Sequence, residues 1–196
     1  REPVDEDLNR WDKLYYVGAK AKQSGQMQGE LIADYIKNNP GVDKNGDGRI
    51  QYVILEGEMG HQDAIVRTES VTAQNRMTQL IGQYKNSIEL VIANNDAMAL
   101  GAIDAYEKLG VTESNVPAFF GVDGTDDGLE AVQQSKLAAT VYNDKEGQAR
   151  AMAQLAYLAA TGGSMKNIKF EDKKYVYLPY EKVTPDNVNE FVKDEQ

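Results

Sequence analysis

The sequence predicts an α/β protein, a parallel sheet with helices on both faces. Two observations carry this. Short apolar runs rich in Val, Ile and Leu alternate with longer helical stretches through most of the 196 residues, the pattern of parallel strands joined by covering helices. Polar residues also gather just after the predicted strands, where ligands sit in open α/β sheets. A composition of 41% hydrophobic and 27% charged residues suits a globular chain with a sizeable core.

The elements follow in order. Residues 1–13 are charged and proline-bearing and read as a loop or linker. Leu14–Val17 is a short strand. Gly18 through Asn38 has apolar residues at helical spacing, and Asn39-Pro40-Gly41 ends it. A polar loop, 43–51, leads to the strand Tyr52–Leu55. Gly57–Gly60 is a turn, a helix starts near Gln62, and residues 72–85 read as a helix. Leu90–Ala93 is a strand, after which Asn94-Asn95-Asp96 caps an alanine-rich helix, Ala97–Leu109. Val116–Gly121 is a strand, Asp123 begins a loop, and Gly128–Gln134 is helical. Leu137–Tyr142 is a strand, Asn143 and Asp144 precede a long helix to about Thr161, and Gly162-Gly163 stops it. Tyr175–Leu178 is the last clear strand. Trp11, Tyr15 and Tyr16 read as packing residues.

The loop Asp43-Lys44-Asn45-Gly46-Asp47-Gly48-Arg49-Ile50-Gln51 has the first three quarters of a calcium loop. Asp43, Asn45 and Asp47 supply side-chain oxygens at positions 1, 3 and 5. Gly48 permits the sharp turn, Arg49 offers a backbone carbonyl, and Gln51 another side-chain oxygen. An EF-hand needs a bidentate Glu at position 12; Ile54 stands there, inside a strand. A bound calcium ion would therefore draw its carboxylate from elsewhere. Asp, Asn and Gly also make plain turns, so the loop has both readings.

Charge and composition exclude several classes. A net charge of −10 opposes nucleic-acid binding. The absence of cysteine excludes disulfides, thiolate metal sites and cysteine nucleophiles, and His61 is the single histidine. There is no apolar run of membrane-spanning length, and no Walker, GxGxxG or nucleophile-elbow motif. Asp63 and Asp123 are the pair a glycosidase would need, but nothing in the sequence points to a raised pKa.

What remains is a set of mixed donors and acceptors at strand ends: His61, Asp63 and Arg67 after the strand 52–55, Asn95 after 90–93, Asp123 after 116–121 and Asn143 after 137–142. The mixture suits a neutral polyol, whose hydroxyls both donate and accept. Each residue also has a simpler reading. Asn95, Asp96 and Asn143 serve as helix caps, Asp123 starts a turn, Arg67 lies on a solvated face, and His61 sits on a surface loop.

The loop Asp43–Gln51 joins Gly60-His61-Gln62-Asp63-Ala64 with Arg67, the run 91–99 (VIANNDAMA), Phe120-Gly121-Val122-Asp123 and Thr140-Val141-Tyr142-Asn143-Asp144. Together these resemble the periplasmic glucose/galactose-binding proteins along most of the chain. The resemblance implies a two-lobed, type I periplasmic-binding-protein fold, and binding of D-glucose or D-galactose in an interlobe cleft. It implies delivery to an ABC transporter permease and, in some bacteria, to a chemoreceptor. It implies sugar contacts from His61, Asp63, Arg67, Asn95, Asp123 and Asn143. It also implies a structural calcium ion held by Asp43, Asn45, Asp47, the Arg49 carbonyl, Gln51 and Glu89. The expected setting is the periplasm or the extracytoplasmic surface, including as a lipoprotein, and the expected state a monomer. A ligand-sensing receptor or regulator of the same fold, and a sugar-acting enzyme, are the competing functions.

The resemblance also implies departures. Family members begin with about ninety further residues, forming most of an N-terminal lobe. They also carry a strand and a tryptophan-bearing loop where this chain passes from Val71 to Thr72; Trp11 does not match that tryptophan. On this reading residues 1–17 are an interlobe crossover and 18–143 the C-terminal lobe with the sugar wall and calcium loop. Residues 144–196 return toward the N-terminal lobe.

Overall fold

The computed structural model describes residues 3–57 and 62–192, with the side chains of 62–68 outside the description. The strands are β1 (Tyr16–Gly18), β2 (Tyr52–Leu55), β3 (Leu90–Ala93), β4 (Ala118–Phe120), β5 (Thr140–Asn143), β6 (Tyr175–Tyr177) and β7 (Tyr180–Val183). The α-helices are α1 (Asp5–Leu8), α2 (Ala21–Asn38), α3 (Gln62–Tyr84), α4 (Asp96–Lys108), α5 (Asp126–Gln133) and α6 (Lys145–Thr161). The chain forms two compact units, Arg1–Ser24 with Asn143–Tyr180, and Gly25–Tyr142 with Glu181–Gln196.

The larger unit is built on the parallel sheet β2-β3-β4, in the register Tyr52↔Leu90 and Leu90↔Ala118. Parallel bridges Phe120↔Ala139 and Asp123↔Tyr142 carry it on to the segment of β5. β3 and β4 are apolar because both of their faces are covered, whereas Tyr52 and Ile54 of β2 stay exposed. Phe119 and Phe120 are consecutive in β4 and so point to opposite faces. Phe119 meets Tyr106 of α4 edge-on at 5.7 Å, and Phe120 meets Tyr35 of α2 at 5.4 Å. Hence α2 and α4 lie on opposite faces. Met77 and Ile81 of α3, Val91, Ala102, Ile103, Phe119 and Val132 share one buried cluster.

In the smaller unit β1 pairs in parallel with β6, Tyr16 opposite Tyr175. Tyr175 and Tyr177 stack at 5.6 Å and Tyr15 stacks on Phe170 at 5.3 Å. Lys174 Nζ donates to the carbonyls of Leu8 and Trp11 at 2.8 and 2.7 Å, tying the first residues to this unit. Tyr15 and Tyr16 pack as expected, whereas Trp11 is 61% exposed. Asp144 caps α6 by accepting from Gly147 N, and Gly162 closes it in the left-handed conformation, φ +68°.

Three elements differ from the sequence expectations. Residues 5–8 form a helical turn inside the expected loop. The two helices expected around 62 and 72–85 are one helix, α3, continuous through Val71–Thr72; no Gly or Pro interrupts residues 62–81. And β7 follows β6, although its charged alternation, Tyr-Glu-Lys-Val, gave only a weak strand signal.

Candidate functional site

Two polar centres stand at opposite ends of the β2-β3-β4 sheet. At the carboxyl end, β3 runs into Asn95, the N-cap of α4. Asn95 Oδ1 accepts from Met98 N at 2.9 Å. Its Nδ2 is left over and donates to Glu69 Oε2 at 2.6 Å. β4 runs into Asp123, which has φ +110°, a conformation that costs an L-residue about 1–3 kcal/mol and recurs where function demands it. Its amide donates to Val141 O at 2.8 Å, which holds the strained residue against β5.

Asp96 lies beneath these residues, fully buried. Its Oδ1 accepts from Thr140 Oγ1 at 2.6 Å. Its Oδ2 accepts from Thr125 N at 2.8 Å and from Thr125 Oγ1 at 3.3 Å. Thr125 Oγ1 in turn accepts from Gly128 N, capping α5. A Cβ at Gly121 would strike Asp96 Oδ1, and one at Gly128 would strike Oδ2. Only glycine lets the backbone close around this carboxylate.

The electrostatics follow from the crowding. Burial pushes the Asp96 carboxyl up to about 6, against the opposing pull of its hydrogen bonds. Burial, then the charges of Asp96 and Glu69, push Asp123 up to about 7. Asp123 therefore stands near the midpoint between acceptor and donor forms, and either form pairs with a hydroxyl. Gln28 of α2 completes this end, donating to the carbonyls of Ala93 and Gly121 at 2.7 and 3.1 Å.

The amino end of the sheet carries the polar loop. Asp43 Oδ1 accepts from Gly46 N and Asp47 N, and its Oδ2 from Gly48 N at 2.8 Å. Asn45 Oδ1 accepts from Asp47 N, and Asp47 Oδ1 from Arg49 N, both at 2.8 Å. Gly46 and Gly48 have φ of +69° and +76°. Glu89, 1% exposed, reaches both ends of the loop: Oε1 accepts from Lys44 N at 2.7 Å and Oε2 from Gln51 N at 2.9 Å. The donor set, all oxygens, fits a hard cation chemically. Among the described residues no three acidic groups converge closely enough to hold one.

The structure thus brings Asn95 and Asp123 into one cluster. Asn143 ends β5 in the other unit, where its Oδ1 accepts from Gln148 Nε2 at 2.5 Å. His61, and the side chains of Asp63 and Arg67, lie outside the described residues. The cap ahead of α6 is Asp144 and not Asn143, and Asp96 is a buried anchor and not a cap. Sequence reasoning missed Glu69, Thr125, Thr140 and Gln28. Gln28 alone had a local signal, a polar residue on the apolar side of an amphipathic helix. A cleft of about 1110 Å³ opens at the amino ends of β4 and β5, lined by residues that include Tyr35, Tyr106, Phe119 and Lys136. It is remote from the Asn95–Asp123 cluster, and the strand carboxyl ends are the better candidate because the strained, charged groups are there.

Residues 66–164, about half the chain, match the family described as periplasmic binding protein domain. The chain is 37% identical to the D-galactose/methyl-galactoside binding periplasmic protein of Haemophilus influenzae, over 98% of this chain and 65% of that protein. It is 39% identical to the ribose import binding protein of the same organism, over 73% of this chain and 51% of the relative. A solved ABC transporter solute binding protein from Bacillus halodurans, with bound myo-inositol, superposes with a TM-score of 0.71 at 29% identity, over 96% of this chain and 66% of that one. The chain therefore spans less than two thirds of these relatives. The alignment with the galactose-binding protein runs over 220 positions against 196 residues here, so the relative carries internal residues with no counterpart in this chain. Among the described residues no helix is long and apolar enough to cross a membrane. With its parallel sheet, two-sided helices and polar strand ends, the fold is of the type I periplasmic-binding-protein kind, and the chain belongs to the periplasmic binding protein domain family.

Proposed function

We propose that this chain is the sugar-holding part of a substrate-binding protein that hands a monosaccharide, D-galactose or D-glucose, to an ABC transporter in the periplasm. The observation that carries the reading is Asp123. A partly buried carboxylate in strained backbone follows one strand, beside an asparagine that follows the next. A polyol hydroxyl is the ligand such a pair takes without a net charge to neutralise. The galactose-binding relative favours galactose; the ribose- and inositol-binding proteins indicate that the same scaffold accepts other polyols. Asn143, His61, Asp63 and Arg67 complete the proposed set of sugar contacts. Chemoreceptor engagement belongs to the same proposal.

The test is calorimetric titration of the full chain with D-galactose, D-glucose, D-ribose, D-allose and myo-inositol. Saturable heat with galactose or glucose, and unchanged sugar recovered afterwards, is the expected result. No heat with any of the five overturns the reading, and turnover of a galactoside replaces it with an enzyme.

The second part of the proposal is a structural calcium ion in the loop at 43–51. Asp43, Asn45, Asp47, the Arg49 carbonyl, Gln51 and Glu89 would hold it, and it would add positive charge where the loop concentrates carboxylates. Bound only to the folded state, it stabilises by mass action. Calcium should therefore raise the melting temperature and magnesium should do so less, because its smaller octahedral shell suits a flexible loop poorly. A melting temperature indifferent to calcium rules the ion out.

A further inference from the structure

We infer that Asp96 is the positioning residue of the strand-end site, a buried carboxylate that fixes the place of Asp123 without itself touching the ligand. The inference rests on the sugar reading for its consequence, and on the geometry for its content.

The ends of β3 and β4 and the neighbouring β5 must be held in register for Asn95 and Asp123 to act on one ligand, and Asp96, which follows β3, is bonded to the other two. Its own amide donates to Val122 O at 2.8 Å, which fixes the start of α4, and with it Asn95, against the residue before Asp123. Its Oδ2 takes the Thr125 amide, two residues beyond Asp123, so the strained turn is held on both sides. Its Oδ1 takes the Thr140 hydroxyl at the start of β5, the strand whose Val141 carbonyl receives the Asp123 amide. Gly121 and Gly128 leave room for both oxygens and for nothing larger.

The arrangement is costly unless it has a use. Burying a carboxylate is unfavourable, and a packed apolar or neutral residue is often the more stable solution. No basic side chain among the described residues bonds to Asp96; its partners are the amides of Thr125 and Gly124 and two hydroxyls. The charge is therefore left to act on what lies near it, and Asp123 feels it. Among the described residues the titratable groups facing Asp123 are Glu69 on α3, Asp96 on α4 and Tyr142 on β5. Asp96 is the one held rigidly from three directions.

The experiment compares the full chain with its Asp96→Asn and Thr140→Val forms. Each is titrated with D-galactose, melted, and followed by carbon NMR of the Asp123 carboxyl without ligand. Asp96→Asn should lower galactose affinity at least tenfold and move the Asp123 midpoint below about 7. Thr140→Val removes one donor and keeps the side-chain volume, so it should weaken binding several-fold; it serves if Asp96→Asn does not fold. A structural role alone would lower the melting temperature and leave the Asp123 midpoint in place, and that result overturns the inference. If the unmodified chain binds none of the sugars, the sugar reading fails, while the Asp123 midpoint in ligand-free protein still decides the role of Asp96.

Discussion

Glu89 and Asp96 are buried carboxylates at the two ends of one strand, β3, and each ties a loop to the sheet. Glu89 does so with two backbone amides, one from each end of an exposed loop whose other oxygens face its own turns. Asp96 does so with two amides and two hydroxyls, beneath a second and a third acid. At the amino end the carboxylates are spread through a solvated loop, where a cation would gather them. At the carboxyl end they are crowded and buried, which favours a protonated acid and a neutral hydroxyl partner. On the proposed reading, a buried carboxylate would serve a metal loop at one end of the sheet and a polyol site at the other.

The largest expected effect separates binding from stability at the carboxyl end. Asp123→Asn should lower galactose affinity about 100-fold, the scale of losing a hydrogen bond to a charged group. It should also raise the melting temperature of the ligand-free chain, because a partly buried acid is replaced by a neutral amide. Titration calorimetry and a melt on the same sample check both; a fall in stability alongside the loss of binding would assign Asp123 to the fold and remove it from the site.

Glu89→Gln is the corresponding change at the other end. It puts an amide group where two N–H donors need acceptors, costing about 1–3 kcal/mol without any metal. It should also abolish the calcium-dependent rise in melting temperature while leaving galactose affinity within a few-fold. If calcium still raises the melting temperature of this variant by the full amount, Glu89 is not among the ligands.

The carboxyl end also has a pH response. Asp96 and Asp123 have folded-state values of about 6 and about 7, above the ordinary 3.8. The folded protein therefore holds protons that the unfolded chain has released between those values. Their stabilising contribution is fully present below pH 3.8 and is lost as pH rises to about 7, with a slope of up to about 1.4 kcal/mol per pH unit for each proton. Denaturant midpoints across this range should fall more steeply for the parent chain than for Asp123→Asn. Parallel curves would mean that Asp123 titrates alike in the folded and unfolded states.

Much of this was legible in the sequence, and the rest was hidden for identifiable reasons. β2 and β3 were readable to the residue, because both are short continuous apolar runs with clear turns on either side, although only β3 is buried on both faces. The loop at 43–51 was readable as a turn-rich oxygen cluster because its Asp, Asn and Gly residues sit at fixed local spacing. Asn95 and Asp123 were readable as strand-end residues. Their partners were not, because Glu69, Thr125 and Thr140 reach Asn95 or Asp96 from 26 to 44 residues away, and no local pattern encodes such a contact. Asp96 looked like a cap for the same reason: next to Asn95 it has the right residue type, and only the fold shows which of the two turns inward.

The smallest effect probes the glycines. At Gly121 the backbone is ordinary and the space is filled by Asp96, whereas at Gly48 the space is open and the backbone is left-handed, φ +76°. Gly121→Ala must displace a buried carboxylate, so it should cost about 1–3 kcal/mol and weaken galactose binding as well. Gly48→Ala meets no neighbour and bears only the conformational cost of an L-residue at positive φ, about 1–2 kcal/mol. That cost falls on the loop alone, so calcium affinity should drop about tenfold with galactose affinity unchanged. Denaturant melts with and without calcium, read beside a galactose titration, distinguish the two. A Gly48→Ala chain that loses galactose binding in step with calcium would show that the loop and the strand-end site are coupled through β3, and that the two ends of the sheet do not work independently.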